Sequence, residues 1–478
     1  MRHPSDADRR AVWMGPVSLR CLGFALPIMI GAAAPGAVRA EDMADMPGMT
    51  QPAPQAPAHS AEQAPASRDE QASMADMPGM SDHAGNGAGG DMAGALGPYD
   101  MSREASGTSW QPDVTPHAGV HLMRGDWMLM GHALLNGVYD WQGGPRGDTK
   151  AFASGMVMGM ATRQFPGGDA LQFRAMLSPD PLMGASGYPL LLASGETADG
   201  ITPLVDRQHP HDLFMELSTS YSHRLSAADS VFVYAGLPGE PAFGPPAFMH
   251  RLSILDSPEA PISHHWLDST HITFGVVTAG WVHGNWKVEA SRFRGREPDQ
   301  HRYGIETGDL DSTAVRLSWN PTRELSLQGS YAYVVSPEQL EPELNQRRWS
   351  ASAIYTKRLG ANGWWWITAA WGRRSGEDGR QLDALVLESA VQPVADWTVF
   401  ARAERTENDE LVPAVVGHGP AYAVGKVSVG AIRDFGVAEH VKFGIGGLYA
   451  WDFVPAGLQA AYGGDPRGAM GFVRVKVE

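Results

Sequence analysis

The chain has 478 residues and a formal net charge of −16, a length sufficient for one large domain and a tail. Beyond the N-terminus it has no run of about 18 apolar residues, which excludes a helical membrane protein. A β-barrel is not excluded, because its strands face lipid only with alternate residues. The negative charge repels nucleic acid and favours cations, so we expect no nucleic-acid partner.

Residues 1–40 have the composition of a secretory signal peptide. Arginines precede the apolar stretch from Leu22 to Ala34, and small residues follow it. Val38 and Ala40 occupy the −3 and −1 positions of a cleavage site. The single cysteine, Cys21, lies in this segment. The exported protein is therefore predicted to have neither a disulfide nor thiol chemistry.

Residues 41–111 consist mainly of Ala, Pro, Gly, Met, Gln and Asp and are predicted to form a disordered periplasmic tail, because they bury too little apolar surface to offset ordering. The heptamer Met-Ala-Asp-Met-Pro-Gly-Met occurs twice in it. Thioethers at this spacing favour Cu(I) or Ag(I), and a nearby imidazole adds a harder ligand. The candidate ligands are Met43, Met46, Met49, Met74, Met77, Met80 and His83. The alternative is a linker that happens to be rich in methionine.

From residue 112 to residue 478 the pattern changes to segments with a period of two, which is typical of strands. In the first segment Trp127, Leu129, Tyr139 and Trp141 share an apolar face that has aromatic residues at both ends. The opposite face carries His132 and polar residues. This pattern predicts a strand that crosses a bilayer between two aromatic belts and turns its polar face to a lumen.

Sixteen such segments follow one another, and the connections between them alternate between short and long. Turn residues such as Pro-Gly-Gly-Asp occupy the short connections. We therefore predict an all-β protein, a transmembrane antiparallel barrel of about 16 strands in the outer-membrane bilayer, with its oligomeric state left open. The predicted strands lie near 127–141, 150–163, 170–178, 213–222, 230–237, 271–281, 286–293, 312–319, 325–333, 347–357, 364–372, 383–391, 396–405, 421–433, 440–451 and 469–477.

Several motifs resemble an uncharacterised family of proteobacterial outer-membrane proteins. They include Asp206-Arg-Gln-His-Pro-His-Asp212, Ser336-Pro-Glu-Gln-Leu340 and the segment from Pro258 to His271. The resemblance covers residues 108–478 and implies a barrel. Members of this family are encoded near copper and heavy-metal resistance determinants, so the resemblance also implies a role in metal resistance, without a ligand set.

The two longest predicted loops concentrate imidazole side chains. One loop holds His209 and His211, and the other holds His264, His265 and His271. Imidazoles and nearby carboxylates suit Cu(II) or Zn(II). The alternative is structural: the loops fold into the lumen as a constriction, with each histidine hydrogen-bonded to aspartate or backbone. The sequence leaves both interpretations open.

A second methionine pattern lies on the first two predicted strands. Met128 and Met130 share a face with His132, and Met156, Met158 and Met160 share a face of the next strand. Pairing of the two strands would form a thioether ladder along the pore. The alternatives are that these side chains touch lipid or fill a packed lumen.

We found no Gly-x-Ser-x-Gly elbow, no phosphate loop and no His-Glu-x-x-His motif, so no enzymatic activity is expected. The first hypothesis is an outer-membrane barrel that binds, sequesters or passes copper. The second is a general or substrate-selective porin without a metal function. The third is an outer-membrane lipid hydrolase.

Overall fold

The structure, a computed structural model, describes residues 93–412 and 419–478. The strands are β1 Val120–Arg124, β2 Trp127–Gln142, β3 Thr149–Gln164, β4 Ala170–Leu177, β5 Tyr188–Thr197, β6 Pro203–Gln208, β7 Phe214–Arg224, β8 Asp229–Gly236, β9 Val276–His283, β10 Trp286–Phe293, β11 Ser312–Thr322, β12 Leu325–Val334, β13 Gln346–Leu359, β14 Gly363–Gly376, β15 Gln381–Val394, β16 Trp397–Asn408, β17 Tyr422–Ala438, β18 Val441–Phe453 and β19 Arg467–Val477. The α-helices are α1 His264–Leu267 and α2 Ala456–Tyr462, and short 3-10 helices lie at Met101–Arg103, Asp180–Met183, Phe248–His250 and Ser269–His271. Among the described residues, no helix is long and apolar enough to cross a membrane.

Sixteen of these strands close into one antiparallel barrel. Each pairs with the next along the chain, from β2 to β4 and then from β7 to β19. The ring closes where β19 pairs with β2, with Gly468 opposite Gln142 and Val477 opposite Ala133. Closure gives the backbone N–H and C=O groups of every strand a partner, as hydrocarbon surroundings require. The prediction of a 16-stranded barrel is confirmed.

The two sides of the barrel wall differ in polarity, because successive residues of a strand point to opposite faces. On β2 the exposed Tyr139 and Trp141 alternate with the buried Asn136, Val138 and Asp140. Large apolar side chains are exposed on the outer face of many other strands, among them Val231, Val277, Leu317, Leu385, Val429 and Val473. An apolar exterior around a polar interior is the arrangement that a lipid bilayer selects.

Aromatic pairs lie near both ends of the barrel. At the end with the short turns, Trp286 stacks on Trp319 with ring centroids 4.7 Å apart. At the end with the long loops, the rings of Tyr449 and Trp451 lie 4.8 Å apart. Aromatic residues at two levels mark the two interfaces of a membrane. The fold is therefore that of an outer-membrane barrel.

Two details of the strand assignment differ from the sequence-based prediction. Strand β9 begins at Val276, so His271 lies in a 3-10 turn of the preceding loop and not in the strand predicted from residue 271. In addition, β5 and β6 form a separate two-stranded hairpin inside the first long loop. Period two alone cannot separate a membrane strand from an extended loop segment that packs against it.

The long loops fold back into the barrel and fill much of its interior. The tip of β5, Leu190–Leu192, is at most 1% exposed and packs against inward-facing apolar residues such as Phe400 and Leu448. Deeper in the lumen Lys426 donates to Glu259 across 2.8 Å, and both side chains are fully buried. Inward-pointing charges in an open pore would contact water. Here they contact the loops.

Residues 93–116 also lie inside the barrel, at the end with the short turns. Leu96 and Trp110 pack against Phe232 and Val282, and Arg103 donates to the carbonyl of Gly284 across 2.8 Å. The predicted disordered tail of residues 41–111 therefore extends too far, because residues 93–111 are ordered. One large aromatic ring and a few charge pairs anchor a segment whose average composition predicted disorder. The predicted signal peptide (1–40), the two methionine heptamers and His83 lie outside the described residues.

Candidate functional site

The five histidines of the two long loops converge in the barrel. His209 and His211 follow β6, His264 and His265 begin α1, and His271 ends the 3-10 turn after α1. We call them the histidine cluster. Their exposed fractions are 1–8%. Helix α1 is held against the wall by Trp266, whose indole N–H donates to the carbonyl of Leu382 across 3.0 Å.

His264 lies at the centre of the cluster. Its ring centroid is 5.3 Å from that of His271, 5.5 Å from that of His265 and 6.0 Å from that of His209. His211 and His271 form the closest pair, at 5.1 Å. The ring of Phe248 packs on one side, 5.9 Å from the ring of His211. Residues up to 62 positions apart in the chain (209 and 271) therefore share one small volume.

The Nδ1 atoms of the cluster have hydrogen-bond partners in the loops. His211 Nδ1 lies 2.8 Å from Asp180 Oδ2, and His264 Nδ1 lies 2.8 Å from Asp268 Oδ1. His271 Nδ1 lies 2.7 Å from the carbonyl oxygen of Asp268. These contacts fix the orientation of the rings. They agree with the interpretation in which loop histidines are hydrogen-bonded to aspartate or backbone inside the lumen.

The Nε2 atoms of His211, His265 and His271 have no hydrogen-bond partner among the described residues, although they are buried. The Nε2 atom of His209 lies 3.3 Å from Glu196 Oε1 without the alignment of a hydrogen bond. A carbonyl only accepts, so the proton of neutral His271 is assigned to Nδ1 and its Nε2 carries a lone pair. An Nδ1–H donated to a loop acceptor and a free Nε2 are what metal-binding histidines typically show.

Several carboxylates around the cluster are paired with arginines. Arg302 contacts Glu196 and also Asp212, whose Oδ2 lies 3.2 Å from its Nη1. Arg251 binds Asp268 across 2.6 Å. These buried pairs offset the negative charge of the carboxylates. The imidazoles are consequently the neutral donors of the site.

Burial shifts the protonation of the cluster. It lowers the pKa of His209 and of His271 well below the usual value, and the nearby Arg302 adds to the effect at His209. His265 differs: burial lowers its pKa, but its contacts with Glu297 outweigh this and raise the pKa overall. Most of the cluster is therefore neutral at neutral pH, the state in which imidazole binds metal.

Within residues 93–412 and 419–478, no group of three or more His, Cys, Asp or Glu side chains has its donor atoms placed to hold a metal ion. The cluster is thus a set of packed rings, and coordination requires the Nε2 atoms to turn toward one point. Asp206 stands apart from it, because Asp206 pairs with Arg146 across 2.6 Å and accepts from Tyr462 across 2.8 Å.

The methionines of β2 and β3 point into the barrel and not toward lipid. Strand pairing places Met130 opposite Met160 and His132 opposite Met158. Met128, Met130 and Met160 are at most 8% exposed and pack together with Met101. The predicted juxtaposition of the two methionine rows is confirmed.

The sequence did not single out several residues that shape these sites. Asp180, Glu196 and Glu297 orient or face the imidazoles, yet each is distant in the chain from the histidine that it contacts. Met101 and His117 reach the methionine rows from the N-terminal segment. The sequence held a signal for Met101, because this residue lies between Tyr99 and Trp110, the first aromatic residues after residue 40.

No family model matches the chain, and no curated protein matches its sequence. Solved structures of porins are similar in architecture. The chain is 10% identical to Salmonella typhi OmpF over 74% of this chain and 100% of that one, with a TM-score of 0.48. The chain is 8% identical to Pseudomonas putida OprB over 74% of this chain and 94% of that one, with a TM-score of 0.45. An anion-selective porin from Comamonas acidovorans is 10% identical over 73% of this chain and 99% of that one, with a TM-score of 0.42.

Proposed function

We propose that this outer-membrane barrel binds a transition-metal ion, copper in the first place, at the histidine cluster inside its lumen. One observation carries the proposal. Five imidazoles from two distant loops meet in one buried volume, and the Nε2 atoms of His211, His265 and His271 are buried without a hydrogen-bond partner among the described residues. Unpaired buried nitrogen costs stability unless a ligand uses it.

The chemistry of the donors suits a borderline divalent ion. Imidazole binds Cu(II) and Zn(II). Among the divalent ions of the first transition row, Cu(II) is bound most tightly by a given nitrogen site. Two further supports favour copper over zinc. The family that the chain resembles is encoded near copper-resistance determinants, and the repeats at Met43–Met49 and Met74–Met80 carry thioethers that favour Cu(I).

The proposal includes a periplasmic position for the methionine-rich tail. Ala93, the first described residue, accepts a hydrogen bond at 3.3 Å from Gln164, which ends β3 at the first short turn. In outer-membrane barrels the short turns face the periplasm and the long loops face outward. A tail that precedes Ala93 on that side would meet periplasmic metal before the barrel does.

A general diffusion porin is the less favoured alternative. Its lumen would expose the inward-pointing charges to water, whereas Arg251, Glu388 and Lys426 are at most 2% exposed. The loops and residues 93–116 provide this cover in the described part of the chain. We therefore propose that the barrel sequesters metal or passes it in a controlled manner.

The test compares two double variants of the full-length, untagged protein in detergent. H211A/H271A removes the closest pair of the cluster. H223A/H283A is the matched control, since these histidines also pair with aspartates, at 3.0 Å and 2.7 Å, but are 56% exposed at the short turns. Cu(II) binding is measured by competition with a chromophoric chelator. Heat-modifiable gel mobility verifies that each barrel is folded.

We expect H211A/H271A to lose one equivalent of bound Cu(II) and the control to retain it. A third variant, H209A/H265A, should also weaken binding, because it removes the second pair. Equal Cu(II) stoichiometry and affinity in all folded variants would overturn the proposal. Large steady currents from the wild-type protein in planar bilayers would support the porin instead.

A further inference from the structure

A cavity separate from the histidine cluster lies inside the barrel, toward the end with the short turns. Its volume is about 120 Å³, well above the roughly 10–15 Å³ that a site for one water requires. Six methionines line it: Met101, Met130, Met156, Met158, Met160 and Met249. We call it the methionine cavity.

Regular strand pairing builds one wall of the methionine cavity. Met156, Met158 and Met160 alternate along β3 and therefore share its inner face, while Met130 opposes Met160 from β2. Side chains directly opposite on paired strands have Cβ atoms about 4.5–5.5 Å apart, so thioether sulfurs on neighbouring positions can reach one ion. The wall is rigid because both strands belong to the barrel.

Three histidines also line the cavity: His117, His132 and His250. His250 Nε2 and His117 Nδ1 are buried and have no hydrogen-bond partner in the part of the chain that the structure describes. A buried imidazole nitrogen without a partner is explained when water or a ligand occupies the cavity beside it.

Most of the charged residues that line the cavity are paired. Arg174 binds Glu216 across 2.9 Å, and Lys476 binds Glu478 across 2.5 Å. Glu104 also lines the cavity; it accepts from the backbone N–H of Leu96 and the hydroxyl of Tyr99, and burial raises its pKa. The other donors are thioethers and imidazoles. Thioethers are soft ligands, which select soft monovalent ions such as Cu(I) over hard ions.

Packing alone does not account for the arrangement. Methionine is flexible and fills irregular gaps, so six of them around a pure packing defect would close it. Instead a cavity remains, and His117 and His250, each with a buried nitrogen that has no partner among the described residues, line it. Water is the competing occupant, and the test below separates it from a metal.

We propose that the methionine cavity is a binding site for a soft monovalent metal ion, Cu(I) or Ag(I), held by methionine thioethers together with His250. It is a second site, different in donor chemistry from the histidine cluster, and it does not depend on metal binding at that cluster.

One short turn separates the two sites. In the 3-10 helix Phe248–His250, the Phe248 ring lies 5.6 Å from the ring of His264, whereas Met249 and His250 line the methionine cavity. The soft site therefore lies on the short-turn side of this helix, and the histidine cluster lies on the other. An ion that moves through the lumen would meet thioethers and imidazoles in that order or its reverse.

The experiment measures Ag(I) binding to the full-length protein in detergent, in a background where the repeat methionines are leucine (M43L, M46L, M49L, M74L, M77L and M80L). M158L/M160L removes two thioethers at nearly constant volume, a change that costs little stability. The control is M183L/M470L, since both methionines are buried in the lumen but belong to the apolar cluster around β5. X-ray absorption at the silver edge reports sulfur ligands.

We expect Ag(I) affinity to fall about tenfold or more in M158L/M160L, with a weaker sulfur signal, and to stay unchanged in M183L/M470L. Ag(I) binding should persist in H211A/H271A, so a failure of the histidine site leaves this prediction intact. If M158L/M160L and its control bind Ag(I) equally, or if no sulfur signal appears in the background protein, the cavity holds water only and the proposal is wrong.

Discussion

The histidine cluster and the methionine cavity occupy one lumen but are built in opposite ways. The methionine cavity rests on two paired strands, where Met130 and Met160 face each other by register. The histidine cluster is carried by loops, and its members meet only because α1 and the β5–β6 hairpin both fold inward. The methionine cavity is built mainly on the barrel wall, whereas the histidine cluster is built on loops that fold into the lumen.

This difference predicts different rigidity. Wall residues keep their positions as long as the barrel is closed. Loop residues keep theirs only through buried ion pairs such as Arg302 with Glu196 and Asp212. Changes in the loop scaffold should therefore disturb imidazole binding of Cu(II) and leave thioether binding of Ag(I) unchanged. Three substitutions test this comparison, and they follow in order of decreasing effect.

The largest effect is expected for R302A. It leaves Glu196 and Asp212 buried without their cation, which typically costs about 3–5 kcal/mol. Hydrogen exchange of residues 196–212 should show this loss, and Cu(II) affinity should fall with it. R207A is the control in the same hairpin, since its pair with Asp148 is partly exposed and worth about 0–1 kcal/mol. Equal protection in both variants would contradict the anchoring role of Arg302.

An intermediate effect is expected for D180N. Asp180 accepts from His211 Nδ1 and has no arginine among its described partners. Loss of such a carboxylate behind a metal-binding histidine typically weakens metal affinity about 10–100-fold. D169N, at the exposed His223, is the control. Cu(II) titration of both measures the effect, and an unchanged affinity in D180N would remove His211 from the site.

The smallest effect is expected for H250A. His250 is one donor among several thioethers, so Ag(I) affinity should fall about three- to tenfold and Cu(II) affinity should not change. H440A, an exposed histidine at a short turn, is the control. Competition titrations with both ions measure the change. A loss of Cu(II) binding in H250A without a loss of Ag(I) binding would reverse the assignment of the two sites.

Part of this organisation was predictable. The polar and apolar faces of β2 follow from its period of two, and the meeting of Met130, His132 and the β3 methionines follows from pairing neighbouring strands. The placement of His271 in a strand was wrong, because β9 begins only at Val276. Residues 93–111 were wrongly included in the tail, since composition averages conceal single anchors such as Trp110.

The sequence by itself determined the closed barrel, its strand number, the polarity of its two faces and the residue types available for metal binding, because these depend on local periodicity and on neighbours along the chain. Only the tertiary structure decided that the loops fill the lumen, that five histidines converge and that Asp180 and Arg302 support them. Such contacts join segments far apart in the chain, and their formation depends on the balance of burial and ion pairing in the whole interior.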